Sequence, residues 1–149
     1  MEIFDGTADL ARVTAGHRPW QRVLEAIERA PTWYEGSMHS LGDSLTALRT
    51  RCRWEAEHFT GHRRYLEVTC AGASPVELEV ARKDELVSAG DYRDTSDREH
   101  FTGTGRPVRL EPRQILVLAT DEALRWRAPA DAPATVVHLT VEGTVLRSP

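Results

Sequence analysis

Apolar positions near the start of the chain fall at helical spacing, and beyond residue 35 they alternate with polar ones. ADLARV reads as a short helix that Thr7 is placed to cap. Pro19 suits the first turn of a second helix. Trp20, Val23, Leu24 and Ile27 then follow at i, i+3, i+4 and i+7, which gives one apolar stripe. Trp20 is expected in the core, and Pro31 ends the helix.

SMHSLGDSLTALRTRCRW reads as a hairpin with Gly42-Asp43 at its turn. In its second strand Thr46, Leu48, Thr50, Cys52 and Trp54 share one face, and Arg49, Arg51 and Arg53 the other. That arginine row reads as a solvated outer face or as a grip for an anion. Further strands are expected at 65–71, 76–81, 85–88, 108–110, 114–119, 124–127 and 135–141, joined by Gly, Pro, Asp and Ser. Many short strands with turns between them predict a mainly β sandwich or barrel, with the helical segment packed on it. Small barrels often hold a ligand at the mouth.

A chain of 149 residues makes one domain, 1–149, and buries roughly 70% of its unfolded surface. Its 19 basic and 23 acidic side chains leave a net charge of −4. That balance excludes non-specific binding to nucleic acid or anionic membrane. No apolar run approaches the ~18 residues of a membrane span. The first residues, MEIFDGTADLARV, lack the basic and apolar regions of a signal peptide, so a cytoplasmic location is expected. Cys52 and Cys70 form no CxxC and read as small buried hydrophobes. Lys83 is the single lysine and sits in the polar turn RKDE, which argues against Schiff-base chemistry.

There is no P-loop, GxGxxG, GxSxG or HExxH. The densest polar stretch runs from Trp54 to Glu67 and reads as a loop entering a strand. His58 and His62 lie four apart within it, flanked by carboxylates, and neutral imidazole with carboxylate suits zinc or iron. In the strand that follows, Leu66, Val68 and Cys70 point one way as core, and Tyr65, Glu67 and Thr69 the other. That polar row faces either solvent or a ligand-filled lumen.

GHRRYLEV resembles the signature E-x-H-R/K-x-Y-I-D-I-Q of the YhcH/YjgK/YiaL family, small cupin-fold proteins linked to sugar and sialic-acid metabolism. Four other segments resemble that family in the same order: MEIFDGTADLARV, GDSLTALRTRCRWE, DYRDTSDREHF and VRLEPRQILVLATDEALRW, with VVHLTV standing at the family's last strand. The resemblance covers nearly the whole chain. It implies a cupin-like double-stranded β-helix (a jelly-roll barrel) with a divalent metal at its mouth. It also implies sugar anomer interconversion, or an auxiliary role beside glycosidases.

The departures from that pattern are specific. The Glu of E-x-H is Thr60 here, the His of P-G-E-A-H is Leu124, the Gln is Thr69, and the Asp is Glu67. Of three expected metal ligands the resemblance leaves His62, and a catalytic zinc site takes three. The expectation is therefore no cofactor. His62, Tyr65 and Glu67 would be the catalytic groups, with burial raising Glu67 into a general acid. Thr60, Thr69, Leu124, Trp126 and His138 would bind the substrate. His138 is near the family's final Lys, with Thr140 the alternative equivalent. If a metal such as zinc is bound, His62 is joined by His58, Glu67 or His138, and Glu57 and Asp97 are further candidates. Alternatively Glu67 pairs with Arg64 or Arg125 and does nothing else. His17, His39 and His100 are expected at the surface.

The function this implies is a metal-independent isomerase or cyclase acting by acid–base chemistry on a sugar-like or other small polar metabolite, in a biosynthetic setting. A non-catalytic cupin that binds a small molecule or partner, and a metal-dependent sugar anomerase with rebuilt ligands, are the alternatives. A sandwich edge that pairs would make a homodimer.

Overall fold

The computed structural model describes residues 1–42, 45–52, 57–127 and 132–140. Strand β1 (Glu2–Phe4) leads into helices α1 (Thr7–Val13) and α2 (Arg18–Arg29). The strands that follow are β2 (Met38–Ser40), β3 (Leu45–Cys52), β4 (Phe59–Gly61), β5 (Tyr65–Ala71), β6 (Val76–Arg82) and β7 (Val87–Ser88). They are completed by β8 (Glu99–Thr102), β9 (Arg106–Leu110), β10 (Ile115–Leu118), β11 (Glu122–Trp126) and β12 (Ala132–Thr140).

Among the described residues the strands form two antiparallel six-stranded sheets, in the orders β1-β10-β5-β12-β3-β2 and β7-β8-β4-β11-β6-β9. Setting aside β1, β2, β7 and β8, the first strand lies beside the last, the second beside the seventh, the third beside the sixth and the fourth beside the fifth. This is the pairing of a jelly roll, and the fold is the cupin-like barrel expected from the sequence.

The alternation in β5 sets the layers. Leu66, Val68 and Cys70 face outward and join Leu10, Trp20, Val23, Ala26 and Ile27 of the two helices in one apolar cluster. Trp20 is 2% exposed, at the centre of the stripe read from the sequence. A second cluster fills one end of the space between the sheets, with Ala71, Leu78, Leu110, Leu116, Leu118 and Ala134. The other end is lined by polar residues and stays open.

Several elements differ from the sequence reading. Helix α1 is capped at Gly6 without a side-chain bond, and Thr7 is its first residue. The Asp9 carboxylate instead accepts the Asp5 N–H at 3.2 Å. Pro19 stands in the first turn of α2, as expected. Lys83–Glu85 forms a 3-10 turn, which shortens the strand expected at 85–88. Phe59–Gly61 is a strand within the stretch read as a loop, paired with both β8 and β11. Its three residues are too few to show a period. Met38–Ser40 pairs with Leu48–Thr46, so the hairpin forms; Asp43 of its turn lies outside the described residues, as do Arg53 and Trp54. Arg49 donates to the carbonyls of Ala30 (3.0 Å) and Pro31, which closes the end of α2. Arg51 pairs with Glu35 at 2.7 Å.

Because Trp20 ties the helices to the sheet, Trp20→Ala should lower the unfolding free energy by about 3–5 kcal/mol in a denaturant titration. A loss under about 1 kcal/mol would show that the helices contribute little to the barrel.

Candidate functional site

At the open end the two sheets enclose a cavity of about 700 Å³, in the range of small-molecule sites. Leu48, Thr50, Val136 and His138 line it from one sheet, and Thr60, His100, Leu124 and Trp126 from the other. His62 and Glu67 lie among its lining residues, and Glu35, Gly36, Arg51 and Arg98 complete it. The polar row of β5 therefore faces the lumen at Glu67.

Strand register brings the first two groups together. His138 of β12 is the cross-strand partner of Glu67 in β5, so their side chains emerge side by side on the inner face. His62 comes from the turn between β4 and β5. Its Nε2 lies 3.3 Å from Glu67 Oε2, and His138 Nε2 lies 3.6 Å from Glu67 Oε1. The two imidazole centroids are 4.7 Å apart. Glu67 is 8% and His62 4% exposed.

His62 is locked from behind. Its Nδ1 is 2.6 Å from the Asp97 carbonyl, which only accepts, so Nδ1 carries the proton. A neutral His62 then turns an unprotonated Nε2 toward a carboxylate. Asp97 is itself held. Its carboxylate accepts the N–H groups of Arg63 and Arg64, each at 3.0 Å, and the Tyr92 hydroxyl. Its φ of 50° is in the left-handed region, which Asp tolerates better than most residues. Lys83 Nζ reaches the His62 carbonyl at 2.6 Å and Glu99 Oε2 at 2.7 Å. Lys83 crosses over Gly61, where a Cβ would come within 2.6 Å of its Cε. A glycine at 61 leaves room for that crossing.

The titration of the pair follows from these contacts. Burial alone raises the Glu67 carboxyl, but the His138 and His62 imidazoles outweigh it and hold the group at about 2. This corrects the expectation of a raised, proton-donating Glu67: two imidazoles counteract the desolvation. Burial lowers His62, but its bond to Glu67, the Glu67 charge, and the carbonyl and charge of Asp97 raise it by more, so the net direction is upward. The expected Glu67 partners are engaged elsewhere. Arg64 lies beside Asp94 and Asp97, and Arg125 pairs with Glu79.

The remaining sequence candidates are distributed as follows. Tyr65 stacks on His138 with ring centroids 5.9 Å apart, and it is not among the cavity-lining residues. Thr69 is fully buried, and its Oγ1 has no hydrogen-bond partner among the described residues. Thr60 Oγ1 is 3.3 Å from His100 Nδ1. His100 therefore lines the cavity and is not a surface group; only its register with Thr60, from a strand missed in the sequence, could have revealed it. His58 lies beside His100, with centroids 5.7 Å apart, and does not join His62. Spacing of four along an irregular segment sets no shared face. Glu57 is exposed and Asp97 contributes through its carbonyl. His17 and His39 are exposed, as expected, with His39 stacked on Trp33.

Thr60 and Leu124 leave no ligand at those two positions, yet His62, Glu67 and His138 present donor atoms all within 4.8 Å of one another. The donor set fits a divalent metal. Two imidazole nitrogens and a carboxylate oxygen suit zinc or iron. Tetrahedral ligands at bond lengths of about 2.1 Å stand about 3.4 Å apart; each imidazole faces its own oxygen of Glu67, at 3.3 and 3.6 Å, and one donor atom from each residue lies within 4.8 Å of the others. At 3.6 Å the His138–Glu67 contact is too long for a hydrogen bond, and His138 Nε2 is buried without a hydrogen-bond partner. The His62 Nδ1–carbonyl bond is the outer contact that orients a metal-ligating histidine.

No family model matches the chain. Two solved structures are similar to it at low identity. One is a hydroquinone 1,2-dioxygenase from Sphingomonas sp. TTNP3 with 4-hydroxybenzoate bound, at 15% identity and a TM-score of 0.47, over 80% of this chain and 74% of that one. The other is the hydroquinone 1,2-dioxygenase PnpCD in complex with Cd2+ and 4-hydroxybenzonitrile, at 18% identity and a TM-score of 0.40, over 77% and 69%.

The opposed shifts define where the metal-free protein is most stable. Glu67 titrates below its ordinary 4.5, so its contribution is complete above that value and is lost as pH falls toward 2. His62 titrates above 6.5, so its contribution is complete below 6.5 and is lost as pH rises through the folded value. Thermal unfolding in chelator should therefore give a Tm that falls on both sides. His62→Gln should flatten the alkaline side, and an unchanged alkaline side would refute the assignment.

Proposed function

We propose that this protein is a small-molecule enzyme in which His62, Glu67 and His138 hold a divalent cation at the floor of the barrel cavity. The carrying observation is the aim of His62: with Nδ1 committed to the Asp97 carbonyl, Nε2 meets a carboxylate at 3.3 Å. Two acceptors that close require a positive centre between them, either a metal ion or a proton. His138 Nε2, buried without a hydrogen bond beside the same carboxylate, favours the metal.

Such a cation, when bound, polarises an oxygen of the ligand. The chain's own groups do the rest. Asp97 keeps Nδ1 of His62 protonated and its ring fixed. The His100 imidazole, in contact with the Thr60 hydroxyl, is the group on the facing wall that takes up or returns a proton. Leu124, Val136 and Trp126 keep water from that part of the cavity. The reaction class we assign is isomerase or cyclase type, moving protons within a sugar-like or other small polar metabolite. We further propose that the chain is an outlying relative of the YhcH/YjgK/YiaL family whose metal ligands have changed position.

A metal-free reading has its own support. A protonated His62 beside an ionised Glu67 is the direction in which both groups are shifted. In that case the imidazolium is the acid, and the ionised Glu67 keeps it protonated.

Elemental analysis separates the two. After incubation with zinc, manganese or ferrous ion and dialysis, the wild-type chain should retain close to one ion. Glu67→Gln and His138→Ala should retain almost none, with unchanged circular dichroism. A wild-type chain without metal would overturn the metal site and leave acid–base chemistry at His62 and Glu67.

A further inference from the structure

Among the described residues two carboxylates and two guanidiniums line the cavity, Glu35 and Glu67 with Arg51 and Arg98, but they do not pair off one to one. Glu35 is paired with Arg51 at 2.7 Å, and Glu67 with two imidazoles. Arg98 lines the cavity as well, and its guanidinium has no hydrogen bond or ion pair among the described residues. The acids next to it in sequence are taken. Asp97 holds two backbone N–H groups and Tyr92, and Glu99 is bound by Arg63 and Lys83. Arg98 is therefore an exposed guanidinium at the cavity mouth with no carboxylate partner among the described residues.

The walls beneath it are apolar. Leu48 and Val136 face inward from one sheet, and Leu124 and Trp126 from the other. A ligand body between them exchanges water for hydrocarbon and an indole face. Arg98 directly follows Asp97, whose carbonyl fixes His62. One short backbone stretch thus carries both this guanidinium and the anchor of the reactive cluster.

We propose that the molecule acted on here is a small amphipathic carboxylate: its acid group pairs with Arg98, its flat or branched apolar body lies between Leu48 and Val136 on one side and Leu124 and Trp126 on the other, and its far end reaches the His62–Glu67–His138 cluster. This rests on the cavity being the ligand site. A guanidinium binds a carboxylate through two parallel N–H bonds, while an uncharged ligand of the same shape would gain no ion pair and leave Arg98 to water.

A matched pair of probes tests it. Calorimetric titration of the full chain with 3-phenylpropanoate and 3-phenylpropanamide should show the acid binding about tenfold or more tightly. Arg98→Gln should abolish that preference by weakening the acid alone, and Trp126→Ala should weaken both probes. Equal affinity for the two, or none for either at millimolar concentration, overturns the proposal. So does a preference that survives Arg98→Gln, since the acid would then sit on the cluster. Metal content, measured on the same samples, keeps the readings apart. Bound metal without acid preference refutes the substrate class alone, whereas Arg98-dependent preference without metal refutes the metal site alone.

Discussion

A carboxylate taken out of water must be met by positive charge, and the interior of this barrel is arranged around that requirement at Glu67. Burial works against its ionised form, and two imidazoles reverse the balance. Neither imidazole is near it in an arbitrary way. His138 is delivered by strand register, as the cross-strand neighbour of Glu67, so a one-residue slip of β12 would turn it away from the cavity. His62 is delivered by a turn, and a turn needs separate support.

That support is the Asp97 network. The Asp97 carboxylate gathers the backbone N–H groups of Arg63 and Arg64, the two residues after His62, while its carbonyl receives the imidazole itself. Lys83 fastens the His62 carbonyl to Glu99 from the next strand of the same sheet. The turn is therefore held at its carbonyl, its ring and its following amides, which is how a group outside regular structure keeps a fixed aim. The left-handed backbone of Asp97 is part of the same device, a local cost accepted where a carbonyl must point at a ring.

What could be read from the sequence follows the length and periodicity of each segment. The α2 stripe and the alternation in β5 are long enough to show a period, and both elements came out as expected. Strand β4 has three residues and no readable period, so the segment carrying Thr60 looked like loop, and with it went the contact to His100. The pairing of His138 with Glu67 is a matter of register between strands 65–71 and 132–140, which no local pattern encodes. The resemblance points to the fold, but it does not say which residues face one another across the lumen, and that is where His62, Glu67 and His138 meet.

The two positions at which the resembled family carries ligands and the three donors gathered here lie on opposite walls. Thr60 and Leu124 belong to β4 and β11 in one sheet, while Glu67 and His138 belong to β5 and β12 in the other. The donors are gathered on one sheet and at the adjoining turn, while apolar side chains stand on both walls, Leu48 and Val136 beside the donors and Leu124 and Trp126 opposite them. A lumen lined evenly with polar groups hydrates any ligand from all sides. A lumen that sets a polar cluster among apolar walls orients a ligand that has two unlike ends. Leu124 therefore bears on which molecules fit the site and how they face the cluster.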